Sequence, residues 1–535
     1  MKKDKNKKRF IIIIIVIALF RFWMSSSLPS LFISNLVYDD QIMVNQMNSL
    51  IKGHYLGVYN DYTLIKGIAF PLVLAFCKVG HISYSTLFTF LYILAVIYFI
   101  RPFEKLISNK KMMFAFYIIL LFNPVTYSSE LFQRLYRNSI AIIELLFFLG
   151  VFIRIILSDD KSKKSIINYF LLGIISSIMY LTREDNMWIK LVFLFIIVYK
   201  YFNHRNIKKI LICFIPFIIL TINLNIVSFI NYKVYGIYTY NEVQKSEFKN
   251  TFKKVLQIKD NEKKDKVSIP KTTFFKLTNN IPSFNITKRN INQYYKVLAD
   301  NTGEIYNGNI IWYFRQFVYR ANKFKDGKEA EKYYKKLGKE IDDKFKDGTF
   351  KKEFVFTSIL LNVPTANESV HLPKNIFDII IYTTTYKNVK TITDFHEYKY
   401  NNEVGAYQIN HFDSHTTENI VKKNDRDYEF FRIIYMILTV IFAPISLIIY
   451  IYNIKKKDIY NDITTVILFI YLIILAGVSY TDATAFSTMR YLCLGNLYVL
   501  QSIFIILNIY RLYNENKVIN IKETKSTKRK KKVKK

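Results

Sequence analysis

The sequence predicts an all-α polytopic membrane protein. It reads as a bundle of about ten transmembrane helices, a re-entrant or interfacial helix, and a mostly helical segment outside the membrane. Three observations predict this. Runs of Ile, Leu, Phe and Tyr recur along the 535 residues, and 51% of the chain is apolar. Short basic segments separate the runs. One long stretch, 232–428, lacks such runs and carries helical periodicity instead.

The spans are read in order at 10–35, 83–100, 112–127, 138–157, 165–181, 187–202, 209–231, 429–452, 463–480 and 485–510. Each is close to the roughly 20 apolar residues that a helix needs to cross the hydrocarbon layer. The apolar opening continues past Arg21 without a small-residue cleavage site, so it reads as an uncleaved first span. The stretch 64–80 is short, holds Pro71 and is bracketed by Lys66 and Lys78, which makes it the re-entrant or interfacial element. An even number of spans keeps both basic termini on one side.

The connections "RPFEKLISNKK", "SDDKSKK", "NHRNIKK" and "NIKKKD" are basic and short, as are both chain ends. Cytoplasmic loops carry such an excess of Lys and Arg. Both termini are therefore expected in the cytosol, with 232–428 extracytoplasmic. The net charge of +35 is spread over these ends and loops, which excludes a nucleic-acid partner and points to the lipid bilayer. The expected division is a membrane module at 1–231 with a first external loop at 37–66, an extracytoplasmic domain at 232–428, three further helices at 429–510 and a basic cytosolic tail at 511–535. Within the external segment Ile310, Tyr313, Phe317, Ala321 and Phe324 share one helical face, and Tyr334, Leu337, Ile341 and Phe345 another. The three cysteines, Cys77, Cys213 and Cys493, fall in apolar segments and read as packing residues.

Chemistry is expected at the first external loop. Asp39 and Asp40 follow the first span, and Ile42, Met43, Met47, Leu50 and Ile51 then recur at helical spacing, as in a helix lying on the membrane surface. One aspartate there is accounted for by helix capping. Two adjacent carboxylates repel, and that repulsion would hold one at a pKa suited to a general base. A divalent cation bridging the pair is a further option; no other cofactor is called for. The turn "TREDNMW" packs Arg183, Glu184 and Asp185 together, and Arg134, Arg137 and Arg490 lie in turns on the same, non-basic side. The short apolar spans hold few other charges, of which Arg21 is the clearest. No phosphate-cradling glycine loop or dinucleotide fingerprint is present, which disfavours a nucleotide-sugar donor.

A first span, an outward acidic pair, a following helix, "GHYLGVY" and then "TLIKGIAFPLVLA" together resemble the GT-C superfamily of integral-membrane glycosyltransferases. In detail the chain is similar to bacterial GT-C-like membrane proteins that share an acidic opening followed by Lys-Gly and Pro. The resemblance implies an inverting transfer of sugar from a polyprenyl-phosphate carrier to an envelope glycan or lipid acceptor, at the plasma membrane of a bacterium. Carried over by residue, it implies a catalytic carboxylate at Asp39 or Asp40. It places Lys66 near the donor phosphate. The charge that grows on a leaving phosphate calls for further cations, for which Arg134, Arg137, Arg183 and Arg490 on the outer side are the candidates, and Glu184, Asp185 and His54 are candidate acceptor or auxiliary groups. Lys66 stands in "KGI" where aminoarabinose transferases have Lys-Pro-Pro, and a lysine snorkelling to the interface is its other reading. A polymerase or ligase of lipid-linked glycans, or a flippase, are the alternatives. The first needs no acids after the first span, and the second relies on charges within the spans.

Overall fold

The computed structural model describes residues 2–25, 30, 39–158, 163–204, 207–262, 264–356, 361–362, 364–387, 389, 414–456, 458–485 and 493–532. Helices dominate it. The described β-structure is one antiparallel pair of two-residue strands, Val355–Phe356 and Leu361–Asn362, with two isolated bridges.

Six helical stretches are long and apolar enough to cross a bilayer: Tyr84–Lys105, Asn138–Leu157, Ser165–Thr182, Ile210–Tyr235, Asp425–Asn453 and Ile459–Thr484. The chain is a multi-pass membrane protein. The other expected spans are shorter or incomplete among the described residues. The first contains the apolar helix Phe10–Ser25, the one at 112–127 holds a helix that stops at Leu121, and the one at 187–202 forms Ile189–His204. The last begins at 485, has 486–492 outside the described residues and enters the helix Gly495–Lys532. The stretch 64–80 forms the short apolar helix Ala69–Val79.

In chain order the membrane part comprises α1 (Lys2–Ser25), α2 (Asp40–Ile51), α3 (Ala69–Val79), α4 (Tyr84–Ile100), α5 (Lys110–Leu121), α6 (Asn138–Leu157), α7 (Lys163–Thr182), α8 (Ile189–His204), α9 (Ile207–Ile212) and α10 (Ile215–Tyr235). Helix α6 is 83% buried, far more than any other long span, because α4 and α7 pack on it and the C-terminal helix Gly495–Lys532 reaches it too. It is the axis of the bundle. Caps set the helix limits. Ser83 accepts the Thr86 N–H at the start of α4, and Gly236, at φ 74°, ends α10 in a left-handed turn that glycine adopts without a Cβ clash. Arg21 in α1 is 1% exposed. It bonds the Leu121 carbonyl at 3.0 Å and Thr126 Oγ1 at 2.6 Å and lies over the Tyr127 ring, so its described partners are a carbonyl, a hydroxyl and an aromatic face.

A second apolar core is built by α11 (Glu247–Leu256), α12 (Lys271–Asn280), α13 (Lys288–Leu298), α14 (Asn307–Asn322) and α15 (Gly327–Lys346). Ile310, Tyr313 and Phe317 of α14 and Tyr334, Leu337 and Ile341 of α15 are buried in it, as their spacing predicts, whereas Ala321 is exposed. Leu56, Tyr59 and Leu64 of the first loop belong to this core too. Helix α16 (Ala366–Thr385), inside the segment expected to stand apart, instead packs on α17 (Ser414–Asn453), α18 (Ile459–Thr484) and α19 (Gly495–Lys532). Ile379 and Tyr386 lie in the bundle core, because one flank of this helix is apolar even though its ends are polar.

The helix ends gather at two poles. At one, the Leu106 carbonyl accepts from Tyr460 Oη at 2.6 Å, Lys200 Nζ donates to the Ile155 carbonyl, and Arg511 pairs with Asp458. The described parts of the basic connections lie at this pole. At the other, Tyr84 Oη donates to the Arg134 carbonyl, Arg137 to the Thr182 carbonyl and Asn307 to the Thr484 carbonyl. The acidic pair and the second core sit at this second pole.

Candidate functional site

Asp39 and Asp40 open α2, but neither reading of them as a like pair holds. Asp39 occupies the N-cap position in helical backbone geometry and makes no side-chain capping bond. Asp40 points into the protein and is fully buried. The apolar side of α2 packs on α3 rather than lying on a membrane surface. Met43, Val44 and Met47 are buried in the bundle core, where α3 packs against them.

Asp40 meets Arg134. The guanidinium donates from Nε to both carboxylate oxygens, at 3.1 and 2.9 Å, and from Nη2 to Oδ1 at 2.8 Å. Arg134 is presented by an irregular connection between α5 and α6, buried except at Glu130, in which Asn123 and Ser128 turn back onto the Val125 and Leu131 amides. Such bidentate pairs are the strong class of charge-assisted hydrogen bond.

Asp39 meets Lys66, with Nζ 2.8 Å from Oδ1. Lys66 is 7% exposed and Asp39 has 29% of its side chain exposed. Oδ1 is itself buried, so Oδ2 is the polar atom on the exposed edge. Gly67 makes this approach feasible: a Cβ there would collide with the Leu181 carbonyl of α7. Burial pushes the Asp39 carboxyl up, but Lys66, then Arg137 and Arg134, pull it further down, and it rests at about 2. This corrects the expectation that a like-charged neighbour raises it. Arg134 neutralises the Asp40 charge, so the nearby cations decide. Lys66 itself is raised: burial and Arg137 lower it, and Asp39, Tyr136 and Glu184 more than restore it.

The turn after α7 completes the cluster. Arg137 holds Glu184 through both terminal nitrogens, and its Nε–H has no acceptor among the described residues. Burial raises the Glu184 carboxyl, but Arg137 and then Lys66 bring it below its ordinary value. Arg183 grips Asp185 at 2.9 and 2.6 Å, bonds Asn138, and lies 3.5 Å from Cys493 Sγ. That contact gives one of the three cysteines a polar neighbour at the site. The Tyr136 ring lies beneath both Arg134 and Arg137. Just behind, buried Glu144 accepts from Thr182 Oγ1 at 2.6 Å.

The structure therefore brings Asp39, Asp40, Lys66, Arg134, Arg137, Arg183, Glu184 and Asp185 into one network. His54 stands apart. It is exposed beyond the far end of α2, a helix about 17 Å long, and is not in the cluster. Arg490 lies outside the described residues. The aspartates turn to different cations, so they do not form a bridging pair for a divalent ion. Among the described residues no group of three His, Cys, Asp or Glu is arranged to hold a metal.

The second core reaches the same place. Residues 312, 315, 316 and 319 of α14 share a face that meets loop 59–63. Arg315 donates to the carbonyls of Asp61 (2.8 Å), Asn60 (3.3 Å) and Thr63 (2.9 Å) and pairs with buried Glu242. Gln316 bonds Tyr62 Oη, and Tyr319 bonds the Tyr59 carbonyl. The Trp312 ring lies over Lys66 Nζ, 4.8 Å from its centroid. Sequence reasoning missed Trp312, Arg315 and Tyr136. The available signal was two adjacent polar residues, Arg315 and Gln316, inside an otherwise apolar helical stretch.

Chemically the network is balanced, four cations against four carboxylates. The cations lie deep, with side chains 4% to 11% exposed, and the carboxylates Asp39, Glu184 and Asp185 carry the accessible edges. Such a site offers fixed, ionised oxygens to a hydroxyl, backed by positive charge. No family model, curated protein or solved structure matches the chain.

Proposed function

We propose that the protein is an inverting glycosyltransferase of GT-C type. It passes a sugar from a polyprenyl-phosphate carrier to the hydroxyl of an envelope glycan or lipid on the outer face of a bacterial plasma membrane. Ten spans, the six long helices and four that are shorter or incomplete among the described residues, set both termini in the cytosol and residues 232–428 outside. The charge bias between the two poles supports this orientation, since basic connections favour the cytosolic side.

The observation that carries the reading is the asymmetry of the aspartates. Asp40 is neutralised and fully buried, whereas Asp39 keeps an exposed edge bearing Oδ2 and holds Lys66 through Oδ1. In the reaction the acceptor oxygen bonds to the anomeric carbon as the carbon–oxygen bond to phosphate breaks, and that electron pair leaves on the phosphate. The hydroxyl proton passes to Asp39 Oδ2. Attack opposite the leaving group inverts the centre. Charge grows on the phosphate, where preorganised cations stabilise it most. Lys66 is the donor nearest the base, and Arg137, whose Nε is buried without a described acceptor, adds positive charge behind it.

The test is transfer by purified protein in lipid nanodiscs, using polyprenyl-phosphate sugars and mixed envelope acceptors, with Asp39→Asn alongside. Loss of transfer by the folded variant supports the reading. Undiminished transfer by the variant removes the assignment of Asp39, and no transfer by the wild-type protein removes the reading.

A further inference from the structure

We propose that Trp312, with Tyr62 beside it, is the platform on which the transferred sugar ring stacks, so that the second core reads the donor's glycosyl group. The inference rests on the proposed transfer. It names the part of the site that selects the sugar.

Charged groups fill the cluster almost entirely, and a pyranose needs more than charge. One face of its ring is a patch of C–H bonds, which packs on an aromatic face much as other apolar groups do. Trp312 is the indole that meets this need. It is half-buried, and its ring lies over the Lys66 ammonium that is also 2.8 Å from Asp39 Oδ1. One ammonium thus separates the ring from the proposed base. A phosphate drawn to Lys66 carries its sugar on the adjoining bond, which brings that ring to the indole. The Tyr62 ring, 6.4 Å from Trp312 between centroids, extends the surface.

The indole is also held still. It projects from the middle of α14, and one turn later Arg315 and Gln316 anchor the same helical face to loop 59–63. A stacking group fixed before the ligand arrives loses little freedom on binding. The donor sugar is favoured over an acceptor sugar because the ring lies against Lys66, the cation assigned to the donor phosphate.

The chain has three tryptophans, so the W23F/W188F background leaves Trp312 as the sole indole reporter. Full-length protein in nanodiscs is titrated with short-chain polyprenyl-phosphate sugars of several hexoses and with the bare polyprenyl phosphate. The expected result is a saturable change in Trp312 emission with a glycosylated probe that the bare phosphate does not reproduce. In transfer assays Trp312→Ala raises KM about 3- to 10-fold with kcat nearly unchanged, and Trp312→Phe recovers most of the loss. Equal responses to glycosylated and bare phosphate, a fall in kcat alone, or transfer without any emission change each overturn the platform. Asp39→Asn in the same background separates the two readings. An emission response with transfer abolished supports both. A response with transfer intact keeps the platform and removes the assignment of Asp39.

Discussion

Adjacent aspartates with opposite environments should fail in opposite ways. Asparagine at position 40 replaces a fully buried carboxylate that takes bonds from Arg134 at 2.8, 2.9 and 3.1 Å. The guanidinium keeps its charge and faces an amide, one end of which is itself a donor. Breaking a buried pair by removing one partner costs about 3–5 kcal/mol. Against a total stability of about 5–15 kcal/mol, that is a large share. Asparagine at position 39 costs about 1 kcal/mol, because that side chain is partly exposed and Lys66 retains Trp312 and the field of Glu184. The chemical ranking reverses. Removing a general base slows the reaction about 10²- to 10⁴-fold, so Asp39→Asn should be folded and inactive. Asp40→Asn should be unstable, and the protein that remains folded should transfer sugar normally. Thermal unfolding in nanodiscs, with transfer scaled to folded protein, measures both. The double change Asp40→Leu, Arg134→Met should regain most of the stability lost by Asp40→Asn, since it leaves no unpaired buried charge. If folded Asp40→Asn is as inactive as Asp39→Asn, or if the two unfold alike, the division of roles is wrong.

Lys66→Met removes the cation that does most to lower Asp39, so the carboxyl climbs from about 2 as burial prevails. A carboxylate with a lowered folded-state pKa stabilises the protein above its ordinary pKa and loses that contribution as pH falls through about 2. In Lys66→Met this contribution shrinks and the acid limb of kcat/KM moves to higher pH; an unmoved limb would falsify the pair. Arg315→Met strands Glu242, which is 1% exposed, at about 3–5 kcal/mol, and should speed hydrogen exchange in residues 56–66. Exchange unchanged there would show that the clamp does not hold the loop. For orientation, Val58→Cys, at an 82% exposed position, should react with a membrane-impermeant maleimide in intact cells, and Lys455→Cys at the other pole only after lysis. Reaction of both in intact cells would reject the topology.

Local periodicity explains what was legible. Apolar runs gave the long helices, and i, i+3, i+4 spacing gave the buried faces of α14 and α15, because a helix repeats within a few residues. The turns carrying Arg134, Arg137 and Arg183 stand out in the sequence, since arginine is unusual away from the basic pole, and the structure brings the three into one cluster. Partner choice was not legible. Asp40 and Arg134 are 94 residues apart, and Arg315 lies 252 residues from Thr63; which pairs meet depends on how the helices pack. The Asp39 environment was misjudged for the same reason. Its sequence neighbour is an acid, but its spatial neighbours are Lys66 and two arginines. The placement of α16 shows a further limit, since a helix with polar ends and one apolar flank is not long enough in hydrophobicity to declare that it joins a membrane bundle.

A balanced network raises the question of how it admits an anion. An arriving phosphate must take a cation from a carboxylate, and the pairs are not equally able to yield. Arg134 with Asp40 is bidentate and sealed, and opening it would leave a charge unmatched in the interior. Arg137 holds Glu184 through two nitrogens. Lys66 holds Asp39 by one ammonium at one oxygen, and the carboxylate it would release already has an edge in water. Lysine is also a flexible point charge rather than a fixed fork, so it can turn from one anion to another at little geometric cost. On the proposed chemistry Lys66 is therefore the cation that moves. Its departure removes the strongest influence lowering Asp39, and the carboxylate gains basicity when a donor is bound. Before that, Lys66 and the neighbouring arginines hold the carboxyl below its ordinary value, which weakens it as a proton acceptor. On that proposed chemistry the pairing would tie base strength to occupancy by the lipid-linked sugar.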